Sequence, residues 1–540
     1  MSAVGTLALL QARRDRWELA VWIGGIAGLG FAAATAISTQ FGADNERAAL
    51  ITVAAASPAF LFLRGLPDGI STGAVTFFQG YSFMAVLAGL MSTFLVIRHT
   101  RDDEDQGRAE FIGSTPVPRP APLYAALLLG LSANAMLALT VGLGFIAAGL
   151  PVRGSLLAGA AVGGVGLLFA AAAAGVAQIM PSARSANGTA AALVGVAYLM
   201  RGAGDALGTP DQSMLRVVPG WPSLFSPIGW GQRIRPYTDK DLSPLLVLTG
   251  SALVLAAVAV TLRKGRDLGD SYIHARDNGP ERAGPGIRSV MGLAWRLQRG
   301  TLVGWCFTAA VLGLVAGALG PVIRDALVGN PSIAELISRL VPVKANMIDL
   351  FTTAMLGLGG VMAAAAGIQA VLRLRVEEVE GRAELLLSVP TPRIRWLTGT
   401  LAVAALSTAA IPVITGAVAA TVLAVSQAGG SSPDIVVAAS LAHVPAALVF
   451  PALTALVFAF TPRLSSPVGW AALGAALVLA QFGELLGLPA WLRDLSPFRH
   501  SSAMPVETFN LQGALLMSGT ALIVAALAGR AIYRRDLTVP

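Results

Sequence analysis

The sequence predicts an all-α integral membrane protein with about 12 transmembrane helices. Hydrophobic residues make up 55% of the 540 residues and charged residues only 13%, and the mean hydropathy is +0.69. Soluble domains carry about 25% charged residues. Apolar runs long enough to cross a bilayer, which takes roughly 20 residues, recur from one end of the chain to the other.

Twelve apolar runs are candidate membrane spans, six in each half of the chain. They cover residues 18–38, 73–97, 121–150, 154–180, 186–203, 244–262, 302–320, 346–371, 397–426, 434–460, 466–488 and 511–529. The fifth run is the most marginal of them. Their richness in Ala and Gly suits close helix packing in lipid.

A short charged stretch occurs twice, which indicates that the two halves are repeats. Residues 101–119 read RDDEDQGRAEFIGSTPVPR and residues 375–393 read RVEEVEGRAELLLSVPTPR, so a shift of 274 positions aligns them without a gap. A fixed period of this length is typical of an internal duplication. Because each half has an even number of spans, we expect two parallel six-helix repeats.

Most Lys and Arg residues fall in the loops on the side of the N-terminus, which predicts cytoplasmic termini and places both copies of the charged stretch in the cytoplasm. Residues 1–262 and 301–540 would form the two halves. The intervening segment 263–300 is rich in cations and Gly-Pro steps, so we expect a flexible linker with an amphipathic entry helix. Pro58 breaks the apolar run at 47–66, which we expect to be interfacial or re-entrant.

Weaker echoes occur in the same order in both halves. A Ser-Pro step precedes the last span of each half, at 226–227 and 496–497, and each half ends in Arg-Asp-Leu, at 266–268 and 535–537. Residues 4–17 are amphipathic and are expected to lie along the inner membrane face.

Each copy of the charged stretch is predicted to be a short helix followed by a turn. Glu104 and Arg108 are four residues apart, as are Glu378 and Arg382, so each pair would share a helix face. The prolines that follow disfavour further helix. A loop that served topology alone would need only cations, whereas both copies also keep acidic residues. That favours a surface that docks two copies of one partner.

Ionisable residues within predicted spans are costly and are candidate functional sites. Arg201 and Asp205 could pair at the outer interface. Glu484 and Gln481 could line an internal cavity or pack against a neighbouring helix, and Asp349 could simply reach interfacial water.

The signature E-x-x-x-R / G-R-A-E-L-L-L-S-x-P-x-x-R after the second span resembles type-2 ATP-binding-cassette (ABC) exporter permeases. It is most similar to the actinobacterial polyketide-antibiotic (tetronasin-type) exporters, whose two halves are fused. The resemblance implies that the first cytoplasmic loop of each half is a coupling helix that docks on a separate ATPase subunit. Its residues would be Arg101, Glu104, Gly107, Arg108, Glu110, Arg375, Glu378, Gly381, Arg382 and Glu384.

The resemblance also implies that spans 2, 5, 8 and 11 line the translocation path for hydrophobic or amphipathic compounds, such as antibiotics, other drugs or lipids. Candidate lining residues are Phe77, Phe78, Tyr81, Met84, Tyr198, Asp349, Phe351, Met355, Gln481, Phe482 and Glu484. Ordinary packing within the bundle is the alternative for each of them.

A P-loop, G-x-x-x-x-G-K-[ST], does not occur in the sequence, because none of its three lysines follows a glycine. ATP and Mg²⁺ would therefore be bound by two copies of a partner ATPase, and this chain would bind no cofactor. The four dispersed histidines do not suggest a metal site. The scattered cations disfavour nucleic-acid binding, and the single cysteine, Cys306, excludes an intrachain disulfide.

Two classes of function remain after these exclusions. The first is the permease subunit of an ATP-driven exporter in the plasma membrane. The alternative is a proton-coupled secondary drug transporter, since twelve spans in two parallel halves also describe the major facilitator architecture. A membrane enzyme is disfavoured, because the sequence shows no pattern typical of a catalytic site.

Overall fold

The computed structural model describes residues 2–274, 284, 289–329, 346–388, 392–427 and 429–535. Within it the chain divides into two compact units, Met1–Asn278 and Gly279–Pro540. This division falls inside the segment predicted as a linker. Some of the sequence features lie outside the described residues: the Gly-Pro step at 279–280, the flanks of Gly284, Lys344, Pro390 of the second charged stretch, and residues 536–537 of the last Arg-Asp-Leu.

The first unit is helical apart from one two-stranded hairpin. Its helices are α1 (Ala3–Gln40), α2 (Asp44–Ala56), α3 (Pro58–Arg64), α4 (Thr72–Arg98), α5 (Arg101–Asp105), α6 (Arg108–Gly113), α7 (Ala121–Ala147), α8 (Val152–Ile179), α9 (Ala183–Ala206), α10 (Pro227–Gln232) and α11 (Ser243–Lys264). Strands β1 (Thr209–Pro210) and β2 (Val217–Val218) pair antiparallel, and a 3₁₀ turn covers Trp221–Phe225.

The described part of the second unit is also built of long helices joined by short ones. It contains α12 (Val290–Gly329), α13 (Met347–Val379), α14 (Arg382–Leu387), α15 (Arg393–Ser426), α16 (Pro433–Leu441), α17 (Val444–Phe460), α18 (Ser465–Phe482), α19 (Ala490–Arg493) and α20 (Leu511–Arg534), with 3₁₀ turns at Pro462–Leu464 and Pro497–His500. The short helices α6 and α14 have the same length and are separated by the 274-residue period.

Eleven helical segments in the described part of the chain are long and apolar enough to cross a membrane, which confirms the all-α integral membrane fold. The fifth predicted span, α9, does not reach that standard. It is a 24-residue helix, but Arg184, Arg201 and Asp205 make it too polar. The structure therefore supports eleven of the twelve predicted spans by length and composition.

The structure gives the local conformation of two segments for which the sequence made specific predictions. Residues 4–17 belong to the single continuous helix α1, which runs into the first span without a break. The segment 47–66 forms two short helices that meet at Ser57, because the following Pro58 starts a new helix. The second of them, α3, packs on α4 and α9.

Small residues allow the long helices to pack closely within each unit. In the first unit α8 contacts α4, α7 and α11. A Cβ atom at Gly163 would lie 2.6 Å from the Asn134 carbonyl oxygen of α7, and one at Gly159, one turn earlier, would lie 2.1 Å from the Ala138 carbonyl oxygen of the same helix. In the second unit Gly313 and Gly317 of α12 face the backbone of α15 in the same manner. Both pairs follow the small-xxx-small spacing of close membrane helices.

We predict opposite effects for two glycine substitutions in α8. Gly163→Ala should destabilise the protein by about 1–3 kcal/mol, because the methyl group has no room beside α7. Gly175→Ala, on the same helix with no atom within 4 Å of the new methyl group, should be neutral or stabilising by up to ~1 kcal/mol. Thermal unfolding of the two variants in detergent measures the difference, and a Gly163→Ala variant as stable as Gly175→Ala would contradict the packing.

Candidate functional site

The repeated loop makes the same backbone turn in both units. Gly107 has φ 71° and ψ 0°, and Gly381 has φ 70° and ψ 1°. This left-handed conformation is readily adopted only by glycine. Each glycine amide donates to the carbonyl three residues earlier, on Glu104 at 3.0 Å and on Glu378 at 3.2 Å. The turn ends the preceding helix and starts a six-residue helix, α6 or α14, which we call the loop helix.

The carboxylate of Glu104 lies buried beneath the first turn among arginines. Its side chain is 7% exposed. The Arg266 Nη2 donates to both carboxylate oxygens, at 2.7 and 2.8 Å, and the Arg101 Nη1 donates at 3.0 Å. Arg263 lies slightly further away, at 3.7 Å. Charge-assisted hydrogen bonds of this kind are short and strong.

The same arginines hold neighbouring parts of the first unit. Arg266, which follows α11, donates from Nε to Gln178 of α8 at 3.0 Å and from Nη1 to the Asp270 carbonyl at 2.6 Å. Arg101 donates to the Pro181 carbonyl at 2.7 Å, just before α9. The first twelve residues of the predicted linker, 263–274, are thus folded against this unit.

The second unit repeats the arrangement at the other loop. Glu378 is buried, with its side chain 4% exposed, and forms an ion pair with Arg535, which follows α20 directly. Arg535 also donates to the Phe458 carbonyl of α17 at 3.0 Å and stacks on the Phe458 ring at 5.1 Å. Its own carbonyl accepts from Arg393 at the start of α15. Arg375 is partly buried near the end of α13.

The predicted pairing of glutamate and arginine four residues apart is wrong. Arg108 instead donates from Nε to Asp103 at 2.7 Å, and Arg382 pairs with Glu380. The left-handed glycine lies between the two predicted partners and breaks the helix, so Glu104 and Arg108 do not share a helical face. The glycine itself, between the two predicted partners in both copies, was the sequence signal that could have argued against the pairing, because glycine is common where a helix ends.

The loop helix turns its outer face away from the protein in both units. Phe111 is 80% exposed and Leu385, at the position 274 residues later, is 75% exposed. Glu110 and Glu384, also 274 residues apart, are exposed beside them. Each loop therefore has a buried glutamate before its glycine turn and an exposed apolar side chain, flanked by charge, after it. We call this exposed side chain, Phe111 or Leu385, the tip of the loop.

A second set of charges joins the first loop to α1. Asp103 of α5 accepts from Arg14 of α1 at 3.0 Å. His99, which follows α4 directly, contacts the buried carboxylate of Asp15 through Nε2 at 2.8 Å. The beginning of α1 and the first loop are therefore held together by two contacts between side chains that lie more than 80 residues apart in sequence.

The second unit uses different residues at the corresponding positions. Arg373 and Glu377, which are 274 residues after His99 and Asp103, form an ion pair at 3.3 Å. Glu377 also accepts from the indole nitrogen of Trp396 at 2.9 Å. The two loops thus share the glycine turn and the buried glutamate but differ in their other supports.

The predicted pair of Arg201 and Asp205 is present and fully buried. Their side chains are 3.0 Å apart and 0% exposed. Gln232 donates to Asp205 at 2.7 Å, and Arg201 donates to the Phe62 carbonyl at the end of α3 at 2.6 Å. Tyr198 lies beneath the Arg201 guanidinium at 4.7 Å. The pair thus caps α3, whose carbonyls lack intrahelical partners at its end, and Gln232 is a partner that the sequence did not indicate.

The aromatic and methionine residues predicted to line a path lie inside their own units. Phe77, Tyr81 and Met84 belong to one buried cluster of the first unit, and the Tyr81 hydroxyl donates to the Ile228 carbonyl at 2.8 Å. The other fully buried candidates are Phe78, Phe351, Met355 and Phe482. Their burial is the arrangement expected for ordinary packing within the bundle, the alternative to lining a path.

The two acidic candidates of the second unit differ in position. Asp349 lies in the first turn of α13 and accepts from the Ser431 amide at 2.8 Å. Helix α18 ends at Phe482, so Glu484 lies beyond the helix and not within a span. The end of the predicted run 466–488 likewise lies beyond this helix. Its side chain is 76% exposed and pairs with Arg493 at 3.0 Å, while Gln481 is partly exposed at the end of α18. Within the described ranges no cluster of three or more His, Cys, Asp or Glu residues could hold a metal ion.

The long apolar helices and the two matching loops define a polytopic all-α membrane protein. A family model for the C-terminal domain of the multidrug efflux system permease Rv1217c matches residues 287–534. The multidrug efflux system permease protein Rv1217c of Mycobacterium tuberculosis is 34% identical over 538 residues, which cover 99% of this chain and 95% of that protein. The chain belongs to the Rv1217c-like family of multidrug efflux permeases, and it is a multi-pass membrane permease.

Two shorter similarities are local. The human sodium-dependent phosphate transporter 1 is 27% identical over 124 residues, 22% of this chain and 18% of that protein. The sodium-dependent phosphate transporter 2 of Felis catus is 31% identical over 111 residues, 19% of this chain and 17% of that protein. Neither similarity extends far enough to assign a function.

We predict that Arg201→Met destabilises the protein by about 3–5 kcal/mol, because it leaves the Asp205 carboxylate buried without its cation. The double variant Arg201→Met/Asp205→Leu should recover much of this loss, since both charges are then removed. Arg235→Met is the matched control: it breaks a more exposed pair with the same four-residue spacing and should cost at most ~1 kcal/mol. Denaturation in detergent measures all three, and equal losses for the arginine variants would contradict the burial of the first pair.

Proposed function

We propose that this chain is the transmembrane subunit of a type-2 ABC exporter. It would move hydrophobic or amphipathic compounds out of the cell, powered by two copies of a separate ATPase that bind ATP and Mg²⁺. The chain itself would bind no cofactor. The observation that carries the proposal is the pair of loops, which share a glycine turn, a buried glutamate and an exposed apolar tip.

The exposed tip has the chemistry of a docking surface. Phe111 and Leu385 place an apolar side chain in solvent at equivalent positions, and solvent-exposed apolar anchors ringed by polar groups are typical of protein interfaces. Glu110 and Glu384 supply the same charge beside each anchor. Two equivalent surfaces fit two copies of one partner better than two unrelated partners.

The residues divide between two roles in this proposal. The ATPase would contact the exposed part of each loop helix, including Arg108 and Arg382, whose side chains are 39% and 47% exposed. The buried Glu104 and Glu378 would act indirectly, by holding the loop in place. The sequence resemblance alone had assigned all of these residues to the contact.

The lack of a P-loop in the sequence supports a separate ATPase. The name of the Mycobacterium tuberculosis relative, a permease of a multidrug efflux system, is consistent with a chain that supplies the membrane part of such a system. We place the chain in the plasma membrane with both termini in the cytoplasm, on the strength of its Lys and Arg distribution.

We further propose that α4, α9, α13 and α18 border the translocation path. Residues such as Tyr81 and Phe351 would then support its wall from within the units and would not contact the substrate in the conformation described. Aromatic and aliphatic surface along such a path would provide contacts of low specificity to apolar compounds.

The docking surface is tested by Phe111→Asp/Leu385→Asp. A carboxylate at each tip should reduce co-purification of the ATPase at least tenfold, because the apolar anchor is replaced by a solvated charge. It should reduce to the same extent the ATP-dependent transport of dye into the lumen of inverted membrane vesicles, which is the direction of efflux from the cell. Exchanging the two residues, Phe111→Leu/Leu385→Phe, is the control and should leave both measurements near those of the wild type. Normal efflux by the double aspartate variant would show that the tips are not the docking surface.

The alternative, a proton-coupled transporter, is separated by its energy source. In the same vesicles an uncoupler that abolishes the proton gradient should leave ATP-dependent efflux intact. Efflux that stops with the gradient while ATP is still supplied would favour the secondary transporter.

A further inference from the structure

We propose that Arg266 and Arg535 are positioning residues that join the repeated loop of each half to the end of that half's last helix. Through them, movement of an ATPase bound at the loop helix would be passed to α11 and α20. This inference rests on the proposed function. It assigns a role to the Arg-Asp-Leu segments that end both halves.

Two separate sequence echoes meet in space, and they do so twice. Arg266 lies 162 residues after Glu104, and Arg535 lies 157 residues after Glu378. Neither separation is local in sequence. The two separations also differ by five residues, so the 274-residue shift that aligns the two glutamates does not align the two arginines. The same pairing of loop glutamate with terminal arginine nevertheless forms in each unit. We call each pairing an anchor pair.

Burial makes each anchor pair difficult to separate. The side chains of Arg266 and Glu104 are 3% and 7% exposed, and those of Arg535 and Glu378 are 12% and 4% exposed. An unpaired charge at such a site would be strongly disfavoured. The loop and the end of the last helix should therefore move together. By contrast, the neighbouring pair of Arg119 and Asp267 is 85% and 86% exposed, and a pair in solvent imposes little constraint.

Each arginine also reaches the end of the helix in the middle of its unit. Arg266 donates to Gln178 near the end of α8, and Arg535 donates to the Phe458 carbonyl near the end of α17. These two helices are central to the packing of their units, α8 against α4, α7 and α11, and α17 against α13 and α20. One guanidinium thus connects three elements: the loop, the last helix and a central helix.

The anchor pairs lie on the opposite side of the turn from the exposed tips. Glu104 and Glu378 precede the glycine turn, whereas Phe111 and Leu385 follow it. A variant that loses the anchor pair keeps the residues that would contact the ATPase. Partner binding and transmission of movement can therefore be measured separately.

The experiment removes both charges of an anchor pair, so that no unpaired charge stays buried. Glu378→Met/Arg535→Met, and separately Glu104→Met/Arg266→Met, are expressed as the full chain with its ATPase. Four quantities are measured: the level of the chain in the membrane, the co-purified ATPase, the rate of ATP hydrolysis, and the transport of dye into the lumen of inverted vesicles, which corresponds to efflux from the cell. Arg119→Met/Asp267→Met is the matched control for an exposed pair.

We expect the Glu378→Met/Arg535→Met chain to accumulate and to bind the ATPase within about twofold of the wild type. The amount of dye moved per ATP hydrolysed should fall at least tenfold, while the control variant keeps the wild-type ratio. A purely structural role would lower the membrane level, ATP hydrolysis and efflux together, and that outcome would overturn the inference. So would a wild-type ratio of dye to ATP.

Should the double variants fail to accumulate, Arg535→Lys serves instead. Lysine keeps the positive charge beside Glu378 but lacks the planar fork that lets arginine serve two acceptors at once. We expect normal accumulation and a reduced ratio of dye to ATP, and an unchanged ratio would contradict the role. Wild-type vesicles show in the same assay whether efflux requires ATP at all. A lack of ATP dependence there would refute the proposed function and is distinct from failure of the anchor pairs.

Discussion

A carboxylate buried at the base of each repeated loop is the constraint on which the rest of the site depends. Taking a charge out of water is costly unless a partner of opposite charge is held close to it. In both units one such partner is an arginine just beyond the last helix, Arg266 or Arg535, far away in sequence. The position of the loop is thereby set by the end of its own half. The loop is consequently part of the folded unit and not a tether between two spans.

The glycine turn separates this buried carboxylate from the outer face of the loop. At φ near +70° the chain reverses without a hydrogen-bonding side chain, and six residues of helix then project Phe111 or Leu385 into solvent. The two halves agree in these features and differ in their secondary supports, with Asp15 and His99 behind the first loop and Trp396 behind the second. The shared features are therefore those that would hold each loop in place for a common partner. The exposed tips are apolar in both halves but differ in side chain, Phe111 in the first and Leu385 in the second.

Sequence reasoning succeeded where the relevant interaction is local or the pattern long. Apolar runs located eleven of the helices that could cross a membrane, because a span needs about 20 apolar residues and little else resembles it. Arg201 and Asp205 were paired correctly because a single helical turn joins them. The two charged stretches align without a gap at a shift of 274 residues, so the amino-acid sequence alone was enough to locate both loops.

The sequence predictions that were wrong or incomplete also have physical causes. Glu104 and Arg108 have the spacing of a helical pair, but one left-handed residue between them removes the geometry on which the spacing rule depends. The partnership of Glu104 with Arg266 spans 162 residues, and nothing in the sequence distinguishes Arg266 from other loop arginines except its echo at Arg535. Glu484 was placed inside a span because apolar residues continue after it, whereas the helix ends two residues before it.

The most direct test of this account measures proximity within each anchor pair. In a chain carrying Cys306→Ser, the paired substitutions Glu104→Cys/Arg266→Cys and Glu378→Cys/Arg535→Cys are treated in native membranes with a short bismaleimide, and cross-linking is followed by mass spectrometry. We predict an intramolecular cross-link in both halves. Absence of both cross-links, while two exposed cysteines elsewhere on the same loops react fully with the reagent, would contradict it.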